Sequence, residues 1–367
     1  MDSVLAATPL QILSNIIVFF ILFWLSRRNM EYNKMRINKL VICGILLFSV
    51  FAYWGTDYFH YLEFYIRYRK YGGNTNIEDL YLYIVDFASS YSIFRLIVWG
   101  AAFCCFVHTA KRLGLNLAVV LYLFTIFFLL KFSYARVSLG MAVLFLGFSY
   151  WVKPGKFRGI SIVIGALLIV LSGFCHKSMI LAIVLAPIAQ VRLKKWHIYV
   201  LLALFPAFVF LVNNYLFDYI INSGMISDDS VQFYALQSYS SQDVVVEERG
   251  LGGIISYLLL SISVYMAVFF LIRNVIFRGE KIGRSYSCFL NYAILILYAS
   301  STFAFMPFGS DVFYYRFMYM MYIPLICAIG AYVGIYGLGR SFKIIFSVAT
   351  LNQIYALLYS FYIAVVS

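Results

Sequence analysis

Apolar stretches long enough to cross a hydrocarbon layer recur along this chain, and every second connection between them carries Lys and Arg, which puts those cations on one side. A hydrocarbon core about 30 Å thick takes roughly 17 to 25 apolar residues per helical crossing. Twelve stretches fit that description, several of them short: 9–26, 40–54, 92–110, 115–131, 137–152, 159–175, 178–191, 198–213, 253–272, 287–305, 318–337 and 344–364. With 64% hydrophobic residues, 12% charged residues and a mean hydropathy of +0.89, a water-soluble globule with an ordinary surface is excluded. The expected fold is an all-α polytopic membrane protein of about twelve transmembrane helices, forming one transmembrane domain over 1–367.

Lys and Arg in short loops mark the cytoplasmic side of membrane helices. Six loops qualify: Arg27 to Lys39, Lys111 with Arg112, Lys153 to Arg158, Arg192 to Lys195, Arg273 to Arg284, and Arg340 with Lys343. Of the 15 acids only Glu31 and Glu280 share that side, so the other acids are expected outside. The net charge of +13 is spread over short loops between spans, where anionic lipid headgroups are the nearer partner and nucleic acid is not expected. Asp2 and the lack of a basic n-region predict that the first span is retained. Cys43, Cys104, Cys105, Cys175, Cys288 and Cys327 show no metal-like spacing and imply no disulfide framework.

Three longer polar segments then fall outside, at 55–91, 213–252 and 306–317, and function should concentrate there. In the first, Tyr58, Tyr61, Tyr65 and Tyr68 recur at helical steps until Gly72 and Gly73, which predicts a short helix. Such a tyrosine ladder suits the membrane boundary, where the ring is apolar and the hydroxyl stays wet. The alternative is that it stacks on sugar rings or guides a lipid chain. The second segment, with Asp218, Asp228, Asp229, Asp243, Glu247, Glu248 and Arg249, reads as a lid. Its paired acids have no further ligand spacing, so no metal site or other cofactor is expected.

Polar groups also interrupt the outer helix ends: Arg136 in KFSYARVSLG, His176 and Lys177 in FCHKSMI, and Asp311 with Arg316 in GSDVFYYRF. Ionisable residues at membrane depth usually face a cavity or a partner. Lys131, Lys177 and Arg95, each taken alone, fit a side chain that snorkels to the boundary. Arg136, Arg249, Arg316 and Lys177 together would suit a diphosphate, because guanidinium forks pair with phosphate oxygens at any working pH. His176 is the candidate proton acceptor, with His60 beside Asp57 as the competitor. Tyr58, Tyr61, His60, Asp311 and Tyr315 are expected to meet glycan or lipid.

Four segments, GTDYFHYLEFY, YARVSLGMAVLFLG, FCHKSMILAI and YYRFMYMMYIPL, resemble in order and spacing the EpsG/Wzy-type bacterial polysaccharide polymerases. The resemblance implies a GT-C-like membrane glycosyltransferase of the bacterial inner membrane whose external loops cap a cavity facing the periplasm or cell exterior. It implies donor and acceptor oligosaccharides carried on undecaprenyl diphosphate, no nucleotide sugar, no metal, and a chain-length regulator and a flippase as partners. By residue it points to Asp57, Arg136, His176 and Arg316. Where the family pattern sometimes has Gln after the Arg, this chain has Val137. A flippase for the same lipid-linked saccharide and a ligase-like transferase are the alternatives.

Overall fold

In a computed structural model the described residues are 8–32, 35–52, 56–72, 78–130, 135–176, 179–212, 215, 251–303 and 310–366. They form α1 (Pro9–Tyr32), α2 (Met35–Phe51), α3 (Thr56–Tyr71), α4 (Asp79–Phe87), α5 (Tyr91–Leu113) and α6 (Leu117–Leu123), which runs on as a π-helical turn, Phe124–Phe128. Then come α7 (Ala135–Val152), α8 (Arg158–Cys175), α9 (Met179–Ile188), α10 (Lys195–Leu211) and α11 (Leu251–Leu271), itself extended by π-helical Ile272–Phe277. The last three are α12 (Arg284–Phe303), α13 (Ser310–Tyr336) and α14 (Arg340–Val366). No strand occurs among the described residues, as expected where backbone groups in lipid must be satisfied within the segment itself.

Each of the twelve expected stretches falls on a helix, but the helices differ in length and polarity. Among the described residues five are long and apolar enough to cross a membrane: Pro9–Tyr32, Tyr91–Leu113, Arg158–Cys175, Phe317–Tyr336 and Arg340–Tyr362. Leu117–Phe128 and Lys195–Leu211 are apolar but shorter, and the described parts of α7 and α11, Arg136–Val152 and Ser261–Phe277, are apolar as well. Of the about twelve crossings expected from sequence, five are shown among the described residues by these two criteria. α12 is 20 residues long and carries Ser285, Ser287, Asn291, Ser300, Ser301 and Thr302, which lower its hydropathy.

The centre of the bundle is α13, apolar all round and buried from Phe317 to Val333. In its most apolar stretch 89% of residues are buried, against 28% in α1 and α8, which places those two at the periphery. α7 and α8 approach closely because two glycines face each other. A Cβ on Gly165 would lie 2.8 Å from the Gly147 carbonyl oxygen, and one on Gly147 would lie 2.7 Å from the Gly165 oxygen. Small residues that let backbones meet are the usual device for packing helices in lipid. The contact brings the start of α7, which holds Arg136, to the same end of the bundle as the residue after α8, His176.

Helix ends fix the directions. α5 stops at Gly114, which takes a left-handed conformation (φ 77°). The Leu113 carbonyl then accepts from Lys153 Nζ at 2.9 Å and from the Tyr286 hydroxyl at 2.7 Å. Ser285 donates to the Val152 carbonyl at 2.9 Å, and Tyr336, near the end of α13, donates to the Lys281 carbonyl at 3.2 Å. α5, α7 and α13 therefore end on one side, where the basic loops lie, and begin together on the other. At that second side Arg95 does not reach the boundary as expected from sequence. It is 2% exposed and donates to the Ser49 and Ala52 carbonyls at 2.6 and 3.1 Å, closing the end of α2.

The first of the longer polar segments folds as α3 and α4. The helix predicted from the tyrosine ladder is present and ends at Gly72 (φ 60°). Its ladder turns inward where sequence had suggested the membrane boundary. Tyr61 and Tyr65 are buried, and the Tyr65 hydroxyl and Arg69 both donate to the Ala88 carbonyl, at 2.9 and 3.1 Å. The tyrosine hydroxyls have protein partners here, so burial leaves their polar ends satisfied.

Candidate functional site

Glu78 occupies the N-cap position of α4 but makes no side-chain cap bond to that helix. Ser, Thr, Asp or Asn at this position would ordinarily accept from the first-turn amides, but the longer Glu side chain is not a usual cap. Here the carboxylate turns sideways, toward two helix ends distant in sequence. Its Oε2 accepts from the Arg136 guanidinium (NH1) at 3.0 Å, and its Oε1 pairs with His176 Nδ1 at 2.9 Å. Arg136 also donates through Nε to the Tyr61 hydroxyl at 2.6 Å. Glu78 thus ties α4 to α7 and the end of α8, and Arg136 extends the link to α3.

The local sequence explains each position. Arg136 is the second residue of α7, and His176 follows the last turn of α8 in extended backbone, with its amide donating to the Ser172 carbonyl at 3.3 Å. An imidazole there lies at the negative end of the α8 dipole. α4 is seated on the same end by Tyr81, which is fully buried and donates to the Cys175 carbonyl at 3.0 Å. Tyr81 lies three residues beyond Glu78, so this anchor sets the Glu78 carboxylate beside His176.

The side chains of Arg136, Glu78 and His176 are 27%, 9% and 12% exposed, so the cluster is shielded but reachable. A carboxylate so enclosed would be costly alone; paired at both oxygens it is tolerated. Burial pushes the Glu78 carboxyl up, but the His176 hydrogen bond and the Arg136 charge outweigh it and hold the group at about 2. Glu78 is therefore ionised at any working pH. The site sets a fixed cation and an imidazole on either side of one anion, a combination able both to bind a negative group and to move a proton.

Of the residues singled out from sequence, the structure brings together Arg136, His176 and Tyr61. Asp57, Tyr58 and His60 lie on the first turn of α3, and their side chains are outside the described residues. Asp311, Tyr315 and Arg316 lie on the opening turns of α13, at the same side as Arg136, again with side chains outside the description. Lys177 and Arg249 lie outside the described residues altogether. Among the described residues no three His, Cys, Asp or Glu side chains gather as metal ligands.

Glu78 and Tyr81 were not singled out from sequence. The available signal was an acidic pair, Glu78 and Asp79, opening an apolar helix inside an external segment. Nothing in that pattern names partners 58 and 98 residues away. No curated protein and no solved structure matches the chain. The family model of EpsG does match, from residue 36 to residue 367, a span that takes in Tyr61, Glu78, Arg136 and His176 together; the chain belongs to the EpsG family.

Proposed function

We propose that this protein is a polysaccharide polymerase, a membrane glycosyltransferase that joins undecaprenyl-diphosphate-linked oligosaccharide repeat units on the outer face of the inner membrane. The EpsG family suggests a polymerase type of function in polysaccharide biosynthesis. The single observation that carries the reading is the meeting of Arg136 and His176 on one carboxylate at a shared end of the bundle. A lipid diphosphate presents its phosphates just outside the hydrocarbon, the depth expected for these helix ends.

In the proposed reaction a hydroxyl oxygen on the acceptor glycan bonds to the anomeric carbon of the donor. The bond from that carbon to the phosphate oxygen breaks, and its electron pair leaves with the lipid diphosphate. Arg136, with Arg316, Arg249 and Lys177, stabilises the negative charge that develops on the leaving group. His176 or Asp57 takes the hydroxyl proton. The external segments 55–91, 213–252 and 306–317 enclose both substrates, and Tyr58, Tyr61, His60, Asp311 and Tyr315 contact glycan or lipid. A metal ion has no assigned part, because cationic side chains neutralise the diphosphate.

The test is polymerisation by purified protein in liposomes supplied with one lipid-linked repeat unit, followed by chain length on gels. Elongation with release of lipid diphosphate is expected. Substrate that crosses the bilayer intact would point to a flippase, and transfer only onto a different lipid would point to a ligase. Normal polymer from the double variant Arg136→Ala, Arg316→Ala would eliminate the diphosphate assignment.

A further inference from the structure

Glu78 has no part in the bond changes just described, yet it is the group on which the cluster converges. Its two oxygens are used by two different kinds of donor. Oε2 is occupied by a guanidinium, which stays charged and can only donate. An ionised carboxylate can only accept, so the other contact, Oε1 to Nδ1 at 2.9 Å, requires the hydrogen to sit on Nδ1 of His176. A neutral imidazole protonated at Nδ1 carries its lone pair on Nε2. The tautomer of His176 is in this way set by a carboxylate 98 residues away in sequence.

We propose that Glu78 is the positioning residue of this site, holding His176 in the Nδ1–H tautomer so that Nε2 is the proton acceptor, while the same carboxylate keeps Arg136 beside it. The inference rests on the polymerase reading for its catalytic part. The anchoring of Glu78 supports it. Tyr81 bonds the Cys175 carbonyl next to His176, and the Glu78 side chain makes no cap bond to α4. As the imidazole gains the hydroxyl proton, the carboxylate also stabilises the imidazolium that forms, the role of the acid in a triad.

Among the described residues the ionisable groups facing Glu78 and His176 include Tyr61 from α3, Tyr81 from α4, Arg136 from α7 and Cys175 from α8. Burial pushes the Tyr81 hydroxyl further up, and Glu78 is ionised throughout. An imidazole ordinarily titrates between pH 5 and 8, so loss of the acid limb of the rate profile in His176→Ala is the check that this limb belongs to His176.

Glu78→Gln keeps the shape but replaces one acceptor oxygen by an NH2 group. With its oxygen on Arg136, the amide donates to Nδ1 and forces the hydrogen of His176 to Nε2. The first measurement is the 15N spectrum of histidine-labelled protein in detergent, with His176→Ala used to assign the signal. Wild type is expected to show a protonated Nδ1, Glu78→Gln a protonated Nε2, and Glu78→Asp the wild-type tautomer. The second is polymerisation in liposomes across pH 5 to 8. Glu78→Gln is expected to lose about 10²-fold or more in kcat with KM nearly unchanged and the acid limb displaced. Glu78→Asp should restore part of the rate, and adding His176→Ala to Glu78→Gln should cost little more. An unprotonated Nδ1 in wild type, or a Glu78→Gln protein with wild-type kcat and pH profile, overturns the inference. Protein that keeps the Nδ1–H tautomer but polymerises nothing instead sinks the polymerase reading and leaves the imidazole geometry standing.

Discussion

Arg95 and Arg136 stand on the opening turns of two helices that begin at the same side of the bundle, and their surroundings differ in kind. Arg95 is sealed in and closes the end of α2 by donating to the Ser49 and Ala52 carbonyls. Arg136 is partly exposed and meets a carboxylate that also holds an imidazole. Carbonyls at a helix end have no other partner to turn to, so the Arg95 contact is a permanent cap. The carboxylate is held through one guanidinium nitrogen, Nη1, and a guanidinium has five N–H donors, so a second anion can join it on the same cation. The difference separates an arginine that holds the fold from one that can also take a ligand, although both read alike in a hydropathy profile.

The sharpest way to break that comparison is to remove each cation in turn. Arg136→Ala is expected to lower the rate of chain elongation in liposomes about 10²- to 10³-fold, the usual cost of losing one donor to a developing charge. Arg95→Ala should instead keep the rate per folded molecule and lower stability by about 1.5–3 kcal/mol, read from the midpoint of unfolding in mixed detergent. If the two effects were exchanged, the distinction would fail.

A second prediction moves the site without touching it. Gly165→Val places atoms where the Gly147 carbonyl and the Trp151 ring already stand. Overpacking of this kind costs about 1–3 kcal/mol and pushes α7 from α8. The rate should drop together with the melting temperature, whereas Gly334→Ala, where a Cβ meets nothing within 4 Å, should change neither.

A smaller effect is expected for Tyr61→Phe, which removes one partner of Arg136 and leaves the Glu78 pair. The loss of one hydrogen bond, about 1 kcal/mol, corresponds to a several-fold change in rate. Acid should act last. The Glu78 carboxyl is held at about 2, below its ordinary 4.5, so its stabilising contribution is fully present above about pH 4.5 and fades as the pH falls toward 2. The protection factor for hydrogen exchange at α4, the rate relative to an unstructured amide at the same pH, should therefore fall as the pH drops below about 4.5, and Glu78→Gln should abolish that acid response.

Much of the helical framework was legible from residue order. Each expected apolar stretch lies on a helix, and Gly72 ends α3 where the tyrosine ladder stops. What failed was the environment of particular side chains. Arg95 was expected at the boundary and is buried; Tyr61 and Tyr65 were expected there too and face protein. A helical period states which residues share a face, but not whether lipid, water or another helix covers it. α3 is covered because Tyr65 and Arg69 reach Ala88 and Tyr81 pins α4 to α8, contacts that no local pattern encodes.

Taken alone, the order of amino acids determined that this chain is helical and apolar, which connections carry the basic residues, and that Arg136 and His176 stand at helix ends. Those are consequences of hydropathy and charge, properties each segment carries by itself. Tertiary structure alone decided that both residues close on Glu78, since a carboxylate chooses its partners by distance in space. The glycine contact between α7 and α8 and the Tyr81 anchor together set that distance.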